Sequence, residues 1–365
     1  CPPCQAVLFG GSYGGMLAAW FRLKYPHLSK GAIAASAPVD TYLGEDRARQ
    51  FRNATFHVFR RYGGDDGECA ALLDKALDLI PGLSSSAAGL RNLTTSLRTC
   101  YDMRNAVDAQ RAQFYALGSL ATLAMLDYPY PADFVVPLPA NPVRAACNAA
   151  KAAATSSTLD ALNAAINVFV NATGKLQCHN VSKELLGSVD PSLRGPTLRS
   201  SLSSTGSPTG LGDISRLWNY QACAEMVLEP LTSDGLGFAI ESDNQVSGVV
   251  ETCQQRFPGI APDVEWLRRS FGDGVQMSRS ARNIVFSDGE KDPWRVGGVP
   301  EDAKQLSVDG SVLHILIEGA AHHQDLRSSD PSDSAELTAA RKVELQEIKK
   351  WLGYDEGGAC LTVRS

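Results

Sequence analysis

The feature that most constrains this chain is a glycine-rich turn at residues 10–15, Gly-Gly-Ser-Tyr-Gly-Gly, which lies between two apolar segments. Residues 5–12 predict a short buried strand that runs into the turn, and the apolar spacing in 13–26 predicts a helix after it. Residues 31–39 predict a second buried strand. A strand, a helix and a strand in such a short stretch form a βαβ unit, so we expect a parallel sheet.

The serine at the centre of this turn, Ser12, is the first candidate for chemistry. A serine hydroxyl becomes an effective nucleophile only when a base removes its proton and a third group orients that base. In α/β-hydrolases the nucleophile lies on a strained turn, and Gly10 and Gly14 stand where a side chain would collide with neighbouring elements. Gly11 and Gly15 leave two more positions of the turn without a side chain. The alternative is a glycine-rich connector whose serine only caps the helix.

The acid that completes such a site should follow a later strand. Residues 283–287 predict a buried strand, and Asp292 comes shortly after it in the segment Ser-Asp-Gly-Glu-Lys-Asp-Pro-Trp. Asp288 is a rival, but it directly precedes Gly289 and is better interpreted as a turn former. Asp292 is therefore the expected acid.

The base should follow the acid along the chain. Residues 311–317 predict another strand, and His322 and His323 come after it, which satisfies the order serine, acid, histidine. The backbone N–H of Tyr13, the residue after the nucleophile, is the expected oxyanion donor. The second donor in this fold comes from a loop on an earlier strand, which would precede residue 1. A truncated, inactive homologue is therefore one alternative for the function.

The composition divides the chain into three parts. Residues 1–44 and 276–365 carry the strands and the catalytic candidates, whereas residues 45–275 are rich in Ala, Leu and Ser and predict helices. The sequence thus predicts an α/β-hydrolase fold that lacks its N-terminal strands and is interrupted by a large, mainly helical cap insertion. Helices are predicted at 68–82, 105–126, 143–155, 158–171 and 332–352, and a mobile loop at 187–212.

Charge and motif content argue against several partner classes. The formal net charge is −6 and no Lys/Arg-rich block occurs, so nucleic acid is not an expected partner. The apolar runs are too short for a membrane span, and we expect a soluble protein. The CxxC pair Cys1 and Cys4 lacks a second pair or a histidine cluster, and no Lys-Ser/Thr follows the glycine run. Neither a metal nor a cofactor is therefore expected.

The cysteines and sequons indicate the compartment. Nine cysteines stand beside four Asn-Xaa-Ser/Thr sequons, a combination that favours an oxidising, secretory or lysosomal setting with disulfides and glycans. The alternative is a cytosolic protein with unused sequons and buried thiols. The candidate glycosylation sites are Asn53, Asn92, Asn171 and Asn180.

Three segments carry a resemblance to a known family. Residues 10–27, 292–298 and 321–327 resemble the three catalytic motifs of the proline-specific serine peptidases, the family of lysosomal Pro-Xaa carboxypeptidase and dipeptidyl peptidase II. The resemblance implies that the first histidine of the pair, His322, is the base and that His323 is a neighbour. It also implies a serine exopeptidase that cleaves after proline or alanine, in the lysosome, another acidic vesicle or outside the cell. The expected partners are peptides with a penultimate proline or alanine, and a homodimer is left open.

Within that family, residues 126–134 and 137–143 are more similar to the dipeptidyl peptidase II branch. In that branch an Asp followed by Pro holds the free amine of the substrate, and Asp190 is the matching residue here. This resemblance favours release of N-terminal Xaa-Pro dipeptides, with a Pro-Xaa carboxypeptidase as the alternative.

The resemblance also assigns binding residues and disulfides. By position Met16, Leu228 and Trp294 would line a short apolar slot for proline, although core packing is the alternative for Met16 and Leu228. The implied disulfides are Cys69–Cys147, Cys100–Cys178 and Cys223–Cys253.

Overall fold

A computed structural model describes most of the chain. The described residues are 5–40, 45–64, 66–181, 217–218, 220–226, 250–251, 253–254 and 257–354.

Six strands lie in the described part of the chain. Four of them form one parallel sheet in the order β1-β2-β5-β6, and the other two form a two-residue antiparallel ladder. The predicted strands are therefore present and parallel, with their carboxyl ends at one edge of the sheet. The strands are β1 (Val7–Gly11), β2 (Gly31–Ala35), β3 (Ala132–Asp133), β4 (Pro137–Leu138), β5 (Ile284–Gly289) and β6 (Val312–Ile317).

The α-helices lie mainly between β2 and β5. The predicted helices 68–82, 105–126, 143–155 and 158–171 correspond to α3, α5, α6 and α7, and the C-terminal helix to α11. In chain order the helices are α1 (Tyr13–Lys24), α2 (Glu45–Tyr62), α3 (Glu68–Leu83), α4 (Ala87–Ser96), α5 (Ala106–Met125), α6 (Pro142–Ala153), α7 (Thr158–Val170), α8 (Trp266–Phe271), α9 (Gly274–Ser280), α10 (Ala303–Leu306) and α11 (Ala335–Trp351).

The two largest of four hydrophobic clusters in the described residues organise these elements. One is built mainly by α2 to α7, around buried side chains such as Leu73, Leu77 and Leu120. The other lies against the sheet and includes Met16 of α1 and Phe286 of β5. The fold is thus a mixed α/β structure, and the exact division into a core and a cap insertion stays a prediction.

The three disulfides implied by the resemblance are present in the structure. Cys69–Cys147 joins α3 to α6, with Cα atoms 5.4 Å apart. The others are Cys100–Cys178 and Cys223–Cys253.

The sequons lie at the surface to different degrees. Asn53 and Asn92 are exposed, whereas Asn171 and Asn180 are partly buried. Their glycosylation stays a prediction. None of the helices in the described ranges has the length and apolar character that crossing a membrane would require.

The last helix packs across the sheet at Gly31. A Cβ added to Gly31 in β2 would lie 2.1 Å from Cε3 of Trp351. We expect Gly31→Ala to lower the free energy of unfolding by about 1–3 kcal/mol, the usual cost of an overfilled core. Urea unfolding with an unchanged m-value would measure this change.

The matched control is Gly82→Ala in α3. A Cβ at Gly82 meets no atom within 4 Å among the described residues. Because alanine favours helix over glycine, this variant should be as stable as the parent or more so. Equal stability of Gly31→Ala and the parent would contradict the predicted clash.

Candidate active site

The backbone at Ser12 has the conformation of a nucleophile turn. Ser12 has φ 58° and ψ −128°, a region that is strained for a residue with a Cβ. Its N–H donates to the carbonyl of Ala35 at the end of β2, 2.9 Å away, which ties the turn to the sheet. Its side chain makes no capping hydrogen bond to α1, so the interpretation as a simple helix cap is wrong.

The glycines around Ser12 do not all have the role that the sequence predicts. A Cβ at Gly10 would lie 2.0 Å from the carbonyl oxygen of Gly14, and one at Gly15 would lie 2.8 Å from that of Ala35. A Cβ at Gly14, however, meets no atom within 4 Å among the described residues. The expected collision at Gly14 is therefore not found, because it is the carbonyl of Gly14 that approaches the strand. Gly10 and Gly15 are the positions that permit the close approach.

Tyr13 contributes a ring contact that the sequence analysis did not predict. Its hydroxyl accepts a hydrogen bond from Nε2 of Gln221, and its ring lies edge-on to Trp218 with centroids 5.5 Å apart. Burial, and then the charge of Glu225, raise the pKa of this phenol. The Tyr13 N–H stands in the first turn of α1, where N–H groups lack intrahelical acceptors and the helix dipole is positive. That placement suits an oxyanion donor, a role that stays a prediction.

Asp292 and His322 form a buried pair beyond β5 and β6. Asp292 is 0% exposed and His322 is 3% exposed. Oδ1 of Asp292 accepts from the N–H of Trp294 at 3.0 Å, and Oδ2 lies 2.5 Å from Nδ1 of His322. A carboxylate at Nδ1 favours the tautomer with its proton there, which leaves Nε2 as the proton acceptor.

His323 contacts both the His322 ring and the Ser12 turn. Its N–H donates to Oγ of Ser36 at 2.7 Å, and its ring centroid is 4.4 Å from that of His322. The ring also packs on the turn, because a Cβ at Gly11 would lie 2.9 Å from Cγ of His323. Burial, and then His322, lower the pKa of His323 to about 4. The imidazole that contacts Asp292 is that of His322.

Asp288 is not a turn former, which corrects the expectation from its neighbour Gly289. Strand β5 continues through both residues, two positions further than predicted. The Asp288 carboxylate is buried, and its Oδ2 lies 3.0 Å from Nε2 of His314 on β6. Burial raises the pKa of Asp288. The rival acid thus has a histidine of its own within the sheet.

The four predicted substrate-binding residues are placed unequally. Met16 is 1% exposed and belongs to the same apolar cluster as Met226, a surrounding that fits core packing. Trp294 is partly exposed and follows the candidate acid within two residues. Asp190 and Leu228 lie outside the described residues. Their part in binding, like that of Met16 and Trp294, stays a prediction.

Two buried charged residues next to Asp292 escaped the sequence analysis. Glu290 accepts from the Tyr62 hydroxyl at 2.7 Å and the Gly319 N–H at 3.0 Å. Although burial acts in the opposite direction, hydrogen bonds from His57 and Tyr62 lower the pKa of Glu290 to about 2. Lys291 is 4% exposed, and its Nζ donates to the carbonyl of Asp127, just beyond the end of α5. The sequence signal that could have indicated them is the run of three charged residues at 290–292, which follows a buried apolar strand.

The described part of the chain offers no metal centre. No group of three or more His, Cys, Asp or Glu side chains there is arranged to hold a metal ion. The chemistry that the site can perform with its own residues is proton transfer and nucleophilic attack.

Comparison with known proteins identifies the family. Residues 3–344 match the serine carboxypeptidase S28 family, and the chain belongs to it. It is similar to the lysosomal Pro-X carboxypeptidase of Bos taurus, with 34% identity over 351 residues, 95% of this chain and 63% of the relative. The Homo sapiens protein of that name is 34% identical over 357 residues, 96% of this chain and 64% of the relative.

A more distant relative is the thymus-specific serine protease of Mus musculus. It is 28% identical over 357 residues, which are 95% of this chain and 64% of the relative. The chain therefore spans less than two-thirds of the length of these three relatives.

Proposed function

We propose that this chain carries the Ser12, His322 and Asp292 triad of a serine exopeptidase that cleaves after proline through an acyl-enzyme. The observation that carries the proposal is the buried Asp292–His322 pair, 2.5 Å apart, beyond the strand ends where Ser12 occupies its strained turn. A buried carboxylate that orients an imidazole has the role of the acid in serine-hydrolase triads.

The proposed reaction has two steps. Nε2 of His322 takes the proton of Ser12 Oγ, and Oγ attacks the carbonyl carbon of the prolyl residue. The N–H of Tyr13 stabilises the negative oxygen, and the protonated His322 then gives its proton to the leaving amine as the peptide bond breaks. In the second step water loses a proton to His322 and attacks the ester carbonyl carbon. The bond from that carbon to Ser12 Oγ then breaks, and the protonated His322 returns its proton to Oγ, which releases the carboxylic acid and restores Ser12.

For the specificity we propose a Pro-Xaa carboxypeptidase. The relatives from Bos taurus and Homo sapiens are both named Pro-X carboxypeptidase, which supports this alternative better than the dipeptidyl peptidase reading. The dipeptidyl reading depends on Asp190, which lies outside the described residues. Proline has a rigid apolar ring without an N–H, so an apolar slot beside Trp294 would suit it.

We also propose a lysosomal or secreted location. The two mammalian relatives are named lysosomal. The three disulfides agree with this location, because disulfides persist in oxidising compartments and are rare in the cytosol.

A substrate panel on the complete natural protein tests the specificity. We expect release of the last residue from peptides that end in Pro-Xaa with a free carboxylate, and no release from the same peptides with an amidated end. Free-amine Xaa-Pro reporters should be left intact. Cleavage of those reporters, with loss on N-blocking, would replace this proposal by the dipeptidyl peptidase. Absence of both activities, together with no labelling of Ser12 by a fluorophosphonate, would indicate an inactive homologue.

A further inference from the structure

The end of helix α5 contacts the backbone of the candidate base at two points. The N–H of His322 donates to the carbonyl of Met125, the last residue of the helix, at 3.0 Å. The hydroxyl of Tyr128 donates to the carbonyl of His322 at 2.9 Å. Both backbone groups of this one residue are therefore held by the segment Met125–Tyr128.

The same segment also holds the residue before the candidate acid. Nζ of Lys291 lies 2.8 Å from Oδ2 of Asp127 and donates to the Asp127 carbonyl at 3.0 Å. The two side chains are 5% and 1% exposed. Oδ1 of Asp127 accepts from the N–H of Val143 at 3.0 Å, which fixes the carboxylate from the side of α6.

We propose that Met125–Tyr128 is a positioning element that holds His322 and Asp292 in a fixed relation to each other. This proposal rests on the proposed function, because it concerns the geometry of that triad. One segment is hydrogen-bonded to the base, His322, and contacts the acid, Asp292, through its neighbour Lys291. These contacts resist movement of either the loop after β5 or the loop after β6 on its own.

Burial gives these contacts their strength. Tyr128 is 0% exposed, and Ala321, which precedes His322, belongs to the core formed by the helices between β2 and β5. Hydrogen bonds away from water are costly to leave unmade, and an imidazole displaced by a fraction of an ångström transfers its proton poorly. The segment Met125–Tyr128 is therefore held in place by the packing of these helices, and it in turn holds the backbone of His322.

The decisive variant is Tyr128→Phe, which removes the hydroxyl that donates to His322 and keeps the ring. We expect the rate constant for labelling of Ser12 by a fluorophosphonate to fall about tenfold, the scale of one buried hydrogen bond. The KM for peptides should stay within about twofold while kcat falls, because the substrate is not touched. Tyr130→Phe is the matched control, since its ring stacks on that of Tyr128 and its hydroxyl lies outside the bonds that hold His322.

A second pair of variants separates positioning from folding. Lys291→Met alone leaves Asp127 buried and unpaired and is expected to destabilise the protein. The double variant Asp127→Asn with Lys291→Met removes both charges, so we expect recovered stability but labelling that stays about tenfold slow.

The outcomes distinguish the two proposals. Labelling at the parent rate by both Tyr128→Phe and the double variant, with none by Ser12→Ala, would overturn the positioning role and leave the triad intact. If the parent protein labels no faster than Ser12→Ala, the triad proposal fails and the positioning role fails with it.

Discussion

Replacing Ser12 with alanine is expected to lower the kcat of peptide hydrolysis by at least about 10⁴-fold, because in the proposed mechanism its hydroxyl forms the acyl bond. Alanine keeps the Cβ, so the strained backbone with φ 58° is the same in the variant and the parent. The melting temperature and the circular dichroism spectrum should therefore not change. Steady-state kinetics on a Pro-Xaa peptide measure the loss.

Two further variants make this result specific. His322→Ala should cost about as much as Ser12→Ala, and the double variant should cost little more, because the two residues act as one unit. Ser119→Ala is the matched serine control, since its hydroxyl donates along α5, to the carbonyl of Tyr115 at 2.7 Å. Substantial activity in Ser12→Ala would remove Ser12 from the mechanism.

The sheet and the order of the candidate triad were predictable from the sequence. Short apolar runs mark the four strands, and the topology of this fold places the residues after successive parallel strands at one edge. Asp292 and His322 were found by that rule without any knowledge of their distance. A different expectation, that Asp288 forms a turn because Gly289 follows it, is wrong. An aspartate in a turn and an aspartate buried in a strand cannot be told apart from the sequence when the partner, His314, is on another strand.

Five helices were not predicted from the sequence, α2, α4, α8, α9 and α10, and the first two of them show why. Helix α2 is dominated by charged residues, and its apolar face includes Phe51, Phe56 and Phe59, which pack on other elements. Helix α4 is short and polar, and its start depends on a local cap in which Ser86 Oγ accepts from the Gly89 N–H at 3.0 Å. Tertiary burial decides such segments, and a local pattern does not contain it.

The buried ion pairs show the same limit at the site. Lys291 and Asp127 are 164 positions apart, and each by itself resembles a solvent-exposed charge. Only the fold shows that they meet in the interior beside the candidate triad. A motif can therefore suggest the reacting groups, whereas buried contacts between distant segments cannot be predicted from it.

Two buried carboxyl groups interact near the candidate base: Asp325, which follows the histidine pair, and Glu344 of α11. Asp325 and Glu344 are each 6% exposed and interact with each other electrostatically. The Ser287 hydroxyl donates to Oδ2 of Asp325 at 2.7 Å, and Nε of Arg341 donates to the Asp325 carbonyl at 2.8 Å. Burial, and then the charge of Asp325, raise the pKa of Glu344 from 4.5 to about 8. Burial also raises the pKa of Asp325. The pair therefore keeps a proton in the folded state that the unfolded chain releases.

This proton makes the stability depend on pH. Between pH 4.5 and about 8 the folded state binds more protons at Glu344 than the unfolded state does, so stability must fall as pH rises through this window. A difference of one proton corresponds to a slope of at most about 1.4 kcal/mol per pH unit. We expect Glu344→Gln, whose amide can donate to Asp325 at every pH, to flatten this slope and to be more stable than the parent near pH 8. Urea unfolding at pH 5, 6, 7 and 8 (about one-unit steps across that window) measures it.

Glu347→Gln on the same helix, where the side chain pairs with Lys350 at 3.3 Å, is the control and should keep the parent slope. Parallel pH curves for the parent and Glu344→Gln would show that Glu344 does not hold the proton.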